Sequence, residues 1–204
     1  MRCFLAFPLT PLVCEYADGV GTVLRGAGVR GKWVRTGNLH LTVLFLGEQN
    51  ETGLRSLFGA IRDVCSRSMA LQLRVGTPSL FGPPPRVLFL ECHDTGTDTY
   101  KSFALRVRDG VAGCGLVLQD SVLRQEPLPH LTLVRFRDPQ EARSLARHGR
   151  FVRGSWVWDD APALPAPPAT LWELARLGLY CSVLRPAGPE YECLDEFPLG
   201  GKEV

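Results

Sequence analysis

The chain has 204 residues, 45% hydrophobic and 22% charged, and a net charge of +2. That is enough chain for one domain with a good core or for two small lobes. The small net charge excludes a strongly basic nucleic-acid coat, and no apolar run approaches the ~18 residues of a membrane-spanning helix.

Residues 2–7 read as a first strand. The segment has an early arginine and an apolar stretch, as secretory leaders do. Pro8 and Pro11 interrupt it and no small-x-small site follows, so it reads as strand, turn, helix. Thr10 and Pro11 supply an N-cap and a proline at the first helical position. Leu12, Tyr16, Val20, Val23 and Leu24 are expected inward, with Gly19 and Gly21 weakening the helix. Residues 39–46 form a short apolar run ended by Gly47, a buried strand. The next helix is the clearest, because Leu54, Leu57, Phe58, Ile61, Val64 and Cys65 follow the i, i+3, i+4, i+7 rule.

Residues 70–75 read as a strand, 77–85 as a Pro/Gly loop and 86–92 as another strand. A helix over 98–112 places Tyr100, Phe103, Ala104, Val107 and Val111 on one face. Residues 115–120 read as a strand. Pro127 and Pro129 hold the chain extended into 130–136, and a third helix is expected from Asp138-Pro139. The Ala/Pro-rich stretch 161–169 reads as a surface loop, and 171–184 with 190–196 as a hairpin around residues 186–189. Strands and helices mix without a regular βαβ rhythm, which predicts an α+β fold.

One internal similarity stands out. HLTVLFL at 40–46 and HLTLVRF at 130–136 are alike, ninety positions apart, and each precedes a helical segment, which suggests two lobes on related plans. Side chains alternate along a strand, so His40 and Thr42 point one way and Leu41 and Val43 the other; the same holds for His130 and Thr132. Two such strands face to face form a pocket with two imidazoles and two hydroxyls. One histidine can take a proton from the attacking oxygen and the other can protonate the leaving oxygen, since an unperturbed imidazole titrates near ~6.5. The threonines can donate to phosphate oxygens. No metal is required, and two histidines without nearby cysteine or carboxylate partners make a poor zinc site. A single His-x-Thr on a strand is ordinary; the chain has only four histidines, and two of them opening near-identical strands is not. His93 and His148 lack this context and read as surface residues.

The cationic residues are almost all arginine, with lysine only at 32, 101 and 202. Arginine suits bidentate phosphate binding, although a general bias toward Arg, Ala, Gly and Pro explains the preference as simply. Seven scattered cysteines without a Cys-x-x-Cys pair point to reduced thiols in a cytoplasmic protein rather than a disulfide framework or zinc cage.

The paired triplets resemble the His-x-(Thr/Ser)-hydrophobic signature of the 2H phosphoesterase superfamily. More closely, the chain resembles the bacterial and archaeal RNA 2',3'-cyclic phosphodiesterases, also called 2'-5' RNA ligases. The similar segments are Arg2 to Leu9, Trp33-Val34-Arg35, Asn38 to Thr42 with Phe45-Leu46-Gly47, Pro85 to Leu90, Pro129 to Leu133 with Arg135, and the tail from Leu179-Tyr180 through Tyr191–Leu194 to Phe197-Pro198-Leu199. They cover essentially the whole chain in the family's order.

The resemblance implies a single bilobal, pseudo-symmetric domain over 1–204, with antiparallel sheets lining a central cleft and helices outside. It implies opening of an RNA 2',3'-cyclic phosphate to a 2'-phosphate, with His40 as proton donor, His130 as the base that activates water, and Thr42, Thr132 and Arg135 holding the phosphate. The two-histidine scheme needs no cofactor, an unbroken cleft facing solvent suits a monomer, and by microscopic reversibility the same site could join a 2',3'-cyclic end to a 5'-hydroxyl in a 2'-5' bond. A small cyclic nucleotide as substrate, or non-catalytic binding of RNA ends, are the alternatives.

Two points stand apart from that pattern. Strict alternation puts Arg135 on the face opposite His130, unless the strand bulges. And where family members often carry Arg-Pro-Phe before the second motif, this chain has Gln125-Glu126-Pro127, which places a carboxylate at the mouth of the site, with Arg124 beside it as a substitute cation.

Overall fold

Five consecutive buried residues, Cys3 to Phe7, make the strand Arg2–Pro8 (β1) an interior strand. The computed structural model describes residues 1–96, 99–116, 118–186 and 188–200. In it β1 is flanked by the strands His40–Glu48 (β3) and Arg176–Arg185 (β10), and Gly188–Pro198 (β11) completes a sheet in the order β11-β10-β1-β3. A second sheet has the order β2-β6-β5-β4-β9, built from Lys32–Trp33 (β2), Leu71–Phe81 (β4), Val87–Asp94 (β5), His130–Arg135 (β6) and Trp172–Leu174 (β9). Every pairing in both sheets is antiparallel. The helices are Pro11–Gly26 (α1), Glu51–Ser66 (α2), Tyr100–Gly113 (α3) and the short Asp120–Arg124 (α4). A hairpin of Gly149–Val152 (β7) and Ser155–Trp158 (β8) forms a two-stranded sheet of its own, tied to β4 by the Trp158 indole N–H, which donates to the Pro78 carbonyl at 2.7 Å. This is an α+β fold, as expected. Among the described residues no helix is long and apolar enough to cross a membrane.

The helices follow their sequence signals closely. Thr10 accepts a hydrogen bond from the Val13 amide and Pro11 opens α1. The buried stripe of α1 is Val13, Tyr16, Ala17, Val20 and Leu24. Leu12 was expected inward but is 45% exposed, because that stripe starts one residue later and leaves position 12 off its face. In α2, Leu54, Leu57, Ile61 and Cys65 are buried, with Phe58 and Val64 packed at their flanks. All five residues expected on the inner face of α3 are buried; position 98, where that helix was expected to begin, lies outside the described residues.

Other expectations need correction. The strand placed at 70–75 runs on to Phe81, through part of the supposed loop. Pro78 is tolerated because it lies at a register shift of the β4–β5 pair and β9 pairs only with Leu71–Leu73, so no strand needs its missing N–H. Residues 115–120 form no strand: Gly115 lies in a turn, Leu116, Leu118 and Gln119 in no regular element, and Asp120 begins α4, while position 117 lies outside the described residues. The helix expected from Asp138-Pro139 is two single 3-10 turns, Pro139–Ala142 and Leu145–Arg147. The β7–β8 hairpin lies where no local sequence pattern predicts strands. Its turn is Arg153-Gly154, both at positive φ (51° and 86°), the geometry of a tight two-residue hairpin. The stretch 161–169 holds no helix or strand. The C-terminal hairpin forms from β10 and β11, but its expected first arm, 171–184, is divided: Trp172–Leu174 is β9 of the second sheet and only Arg176 onward belongs to the hairpin, and position 187 lies outside the described residues.

What positions the site is a shared irregularity in the two sheets. Between β1 and β3, Leu5 faces Leu44 and Ala6 faces Thr42, which leaves Val43 without a partner. Between β5 and β6, Leu88 faces Val134 and Phe89 faces Thr132, which leaves Leu133 without one. Each His-Leu-Thr triplet is thus followed by a one-residue bulge, which reverses the alternation beyond it. The burial patterns agree: half-buried His, buried Leu, half-buried Thr, two buried residues, then an exposed fifth position after the histidine. That fifth position is Phe45 on β3 and Arg135 on β6. Both return to the face of their histidine, which resolves the conflict over Arg135.

Leu41 and Leu131, the middle residues of the triplets, are fully buried. Truncating either to alanine is expected to cost about 2–5 kcal/mol, read as a lower urea midpoint, whereas Thr132→Ala on the opposite face should cost less than half as much.

Candidate active site

The two histidines are anchored in the same way. His40 Nδ1 lies 2.7 Å from the Asn38 carbonyl oxygen and His130 Nδ1 lies 2.8 Å from that of Leu128. A carbonyl can only accept, so Nδ1–H donates in both, and each Nε2 is the nitrogen left for chemistry. The first anchor is braced: Asn38 Nδ2 donates to the Pro189 carbonyl at 2.7 Å, tying the turn before β3 to β11. Aromatic rings fix the imidazole planes. His40 lies 4.7 Å from the Phe4 ring and meets Tyr191 edge-on at 5.2 Å. His130 meets Phe81 and Phe89 edge-on at 5.1 and 5.6 Å, and those two rings stack at 4.0 Å.

Strands β3 and β6 pack against each other, and two cavities open along them. A 490 Å³ cavity is lined by His40, Arg135, Lys32, Phe4 and Tyr191, among others. A smaller one is lined by Thr42, Tyr100, His130 and Gln125 to Leu128. Phe45 and Val122 line both, so the cavities adjoin there. The structure therefore brings His40 and Arg135 to one cavity, and Thr42 and His130 to its neighbour. Thr132 is half-buried on β6 between His130 and Arg135 and lines neither. The Tyr100 hydroxyl donates to the Thr42 carbonyl oxygen. Burial holds that hydroxyl far above its ordinary pKa, so it stays a donor.

Burial pushes both imidazoles below their ordinary pKa of 6.5. The carbonyl hydrogen bonds oppose this, and the Arg135 charge adds to it; His40 is lowered further by His130. Both rings are therefore neutral at pH 7 in the free protein, each with an Nε2 lone pair. Among the described residues no three His, Cys, Asp or Glu side chains gather as a metal-binding group.

The Gln125-Glu126-Pro127 departure has a structural consequence. Glu126 is paired with Lys101, and that hydrogen bond and charge hold its carboxyl below the usual range. Arg124 is paired with Asp120 at 3.4 Å on the exposed face of α4 and lines neither cavity, so it does not replace an arginine at the mouth. His93 is exposed and 3.5 Å from Glu91. His148, expected at the surface, is half-buried, with Nδ1 on the Asp160 carbonyl at 2.9 Å.

Sequence reasoning missed Lys32, Phe4, Phe45, Tyr191 and the Phe81–Phe89 pair as site residues. Phe45 was within reach, since it stands at the same offset from His40 as Arg135 does from His130. The others depend on strand pairing that no local pattern specifies.

Comparison with known proteins gives the family and the fold. The family model of the 2'-5' RNA ligase superfamily matches residues 22–174. The RNA 2',3'-cyclic phosphodiesterase of Aquifex aeolicus (strain VF5) is 24% identical over 205 residues, covering 98% of both chains. TT0787 of Thermus thermophilus superposes with a TM-score of 0.72 at 27% identity, covering 100% of both chains. The LigT of E. coli, solved in complex with 3'-AMP, superposes with a TM-score of 0.65 over 97% of both chains; at 20% identity it speaks to the fold alone.

Proposed function

Because this chain belongs to the 2'-5' RNA ligase superfamily, we propose that it opens the 2',3'-cyclic phosphate at an RNA end to a 2'-phosphate. The observation that carries this reading is the matched pair of imidazoles, each anchored through Nδ1 to the carbonyl two residues back, on twin bulged strands.

In this mechanism His130 Nε2 takes a proton from water as the water oxygen attacks phosphorus. The bond from phosphorus to the 3'-oxygen breaks, and His40 Nε2 gives that oxygen its proton. The 2'-ester bond survives, so the product carries a 2'-phosphate and a 3'-hydroxyl. Thr42 and Thr132 donate to the non-bridging oxygens, and Arg135 offsets the charge that builds there. With a 5'-hydroxyl in place of water, the same steps give a 2'-5' bond; bulk water favours hydrolysis. The reading treats residues 1–204 as one bilobal domain, supported by a hydrophobic core continuous across both sheets. It treats the protein as a monomer acting on RNA ends in the cytoplasm, where its free cysteines stay reduced.

The pKa shifts set the pH dependence. The base must be neutral and the acid protonated, and both histidines sit below 6.5 in the free protein. Activity as kcat/KM therefore rises with pH through the lower value, falls through the higher, and peaks on the acid side of 6.5. Bound phosphate brings negative charge to His40 and raises its pKa, so the alkaline limb of kcat lies at higher pH than that of kcat/KM. Initial rates across pH 4–9 test this; superimposable alkaline limbs contradict it. Hydrolysis of an oligonucleotide ending in a 2',3'-cyclic phosphate is the direct test of the activity, and absence of turnover refutes it.

A further inference from the structure

The 490 Å³ cavity beside His40 is of a size that takes a drug-sized ligand, far more than one phosphate group requires. Its polar lining is asymmetric. Arg2, Lys32 and Arg135 line it and no carboxylate does, although Arg2 is paired with Glu48 at 3.8 Å; the neighbouring cavity at His130 is lined by Arg108 and by Glu126. Lys32 and Arg135 face each other directly across the β2–β6 pair. Residues opposite one another in an antiparallel pair project to the same side, and like charges placed so repel. Among the described residues, neither has a carboxylate within salt-bridge distance to relieve that repulsion. The cleft thus keeps a second cation on the Arg135 face, one strand farther from His130, in a space continuous with His40.

Resting on the proposed activity, we propose that Lys32 holds the phosphodiester linking the terminal nucleotide to its 5' neighbour, which makes this protein selective for polynucleotide ends over cyclic mononucleotides. Arg135 serves the reacting phosphate and Lys32 the next one. The RNA strand leaves the site through the larger cavity toward Arg2 on β1, away from the Lys101–Glu126 pair.

The test compares a 2',3'-cyclic mononucleotide with a dinucleotide ending in the same cyclic nucleotide. The protein is expected to favour the dinucleotide by about tenfold in kcat/KM, the scale of one charge-assisted contact. Lys32→Met should lower the dinucleotide value at least about fivefold more than the mononucleotide value and flatten the salt dependence of dinucleotide KM by about 0.7 in the log–log slope. A dinucleotide with an uncharged methylphosphonate linkage should lose the same advantage without any mutation. Equal use of both substrates, or equal losses in Lys32→Met, overturns the inference while leaving the phosphodiesterase reading intact. Turnover of neither substrate overturns both.

Discussion

Replacing His40 or His130 with alanine is expected to lower kcat by about 10²–10⁴, the contribution of a positioned proton-transfer group. The geometry leaves little to substitute for either ring. Each Nδ1 is committed to a backbone carbonyl, each ring plane is held by aromatic neighbours, and no other histidine lines either cavity. Because the two act in one concerted step, the double variant should lose little beyond the worse single one. A rate within threefold of the parent in either single variant contradicts the two-histidine mechanism. The roles can be separated by the leaving group. An aryl phosphodiester whose leaving oxygen needs no protonation should recover much of its rate in His40→Ala and none in His130→Ala. The opposite pattern reverses the assignment of donor and base. Thermal unfolding controls for the lost aromatic contacts.

Replacing Arg135 with methionine is the second large effect, a fall of about 10²–10³ in kcat/KM, the cost of removing one donor to developing phosphate charge. Arg135 is exposed, at the end of β6, so the unfolding midpoint should barely move. A second readout separates a phosphate ligand from a merely structural residue. Arg135 contributes to lowering both imidazoles; removing its charge must raise both, and the kcat/KM profile should shift as a whole toward higher pH. Arg135→Lys keeps the charge but loses the fork, so it should keep the pH profile and recover only part of the rate. A methionine variant with an unchanged profile and a rate within threefold of the parent would show that Arg135 is an ordinary surface residue.

The His-Leu-Thr strings were legible because their information is local. Three adjacent residues with period-two alternation put an imidazole and a hydroxyl on one face and a leucine in the core, and repetition at ninety positions implied a partner strand. The helices were legible for the same reason, since a 3.6-residue stripe is written in one segment. Phe45 and Arg135 show where locality ends. Whether they face the cleft depends on one unpaired residue, Val43 or Leu133, and that bulge exists only in register with β1 or β5. Lys32 is a further step removed, because a two-residue strand has no detectable period and takes its meaning from lying opposite Arg135. The failures have related causes. Residues 138–147 carry helical composition, but they close only two 3-10 turns before β7 begins at Gly149, where a Cβ would meet the Val157 carbonyl and the Trp156 ring.

The measurement closest to the central claim is the identity of the product. An oligonucleotide ending in a 2',3'-cyclic phosphate, incubated with the protein in excess chelator and followed by phosphorus NMR, should convert to a terminal 2'-monophosphate at the rate seen without chelator. A 3'-monophosphate, a rate abolished by the chelator, or an unchanged cyclic phosphate would contradict the account.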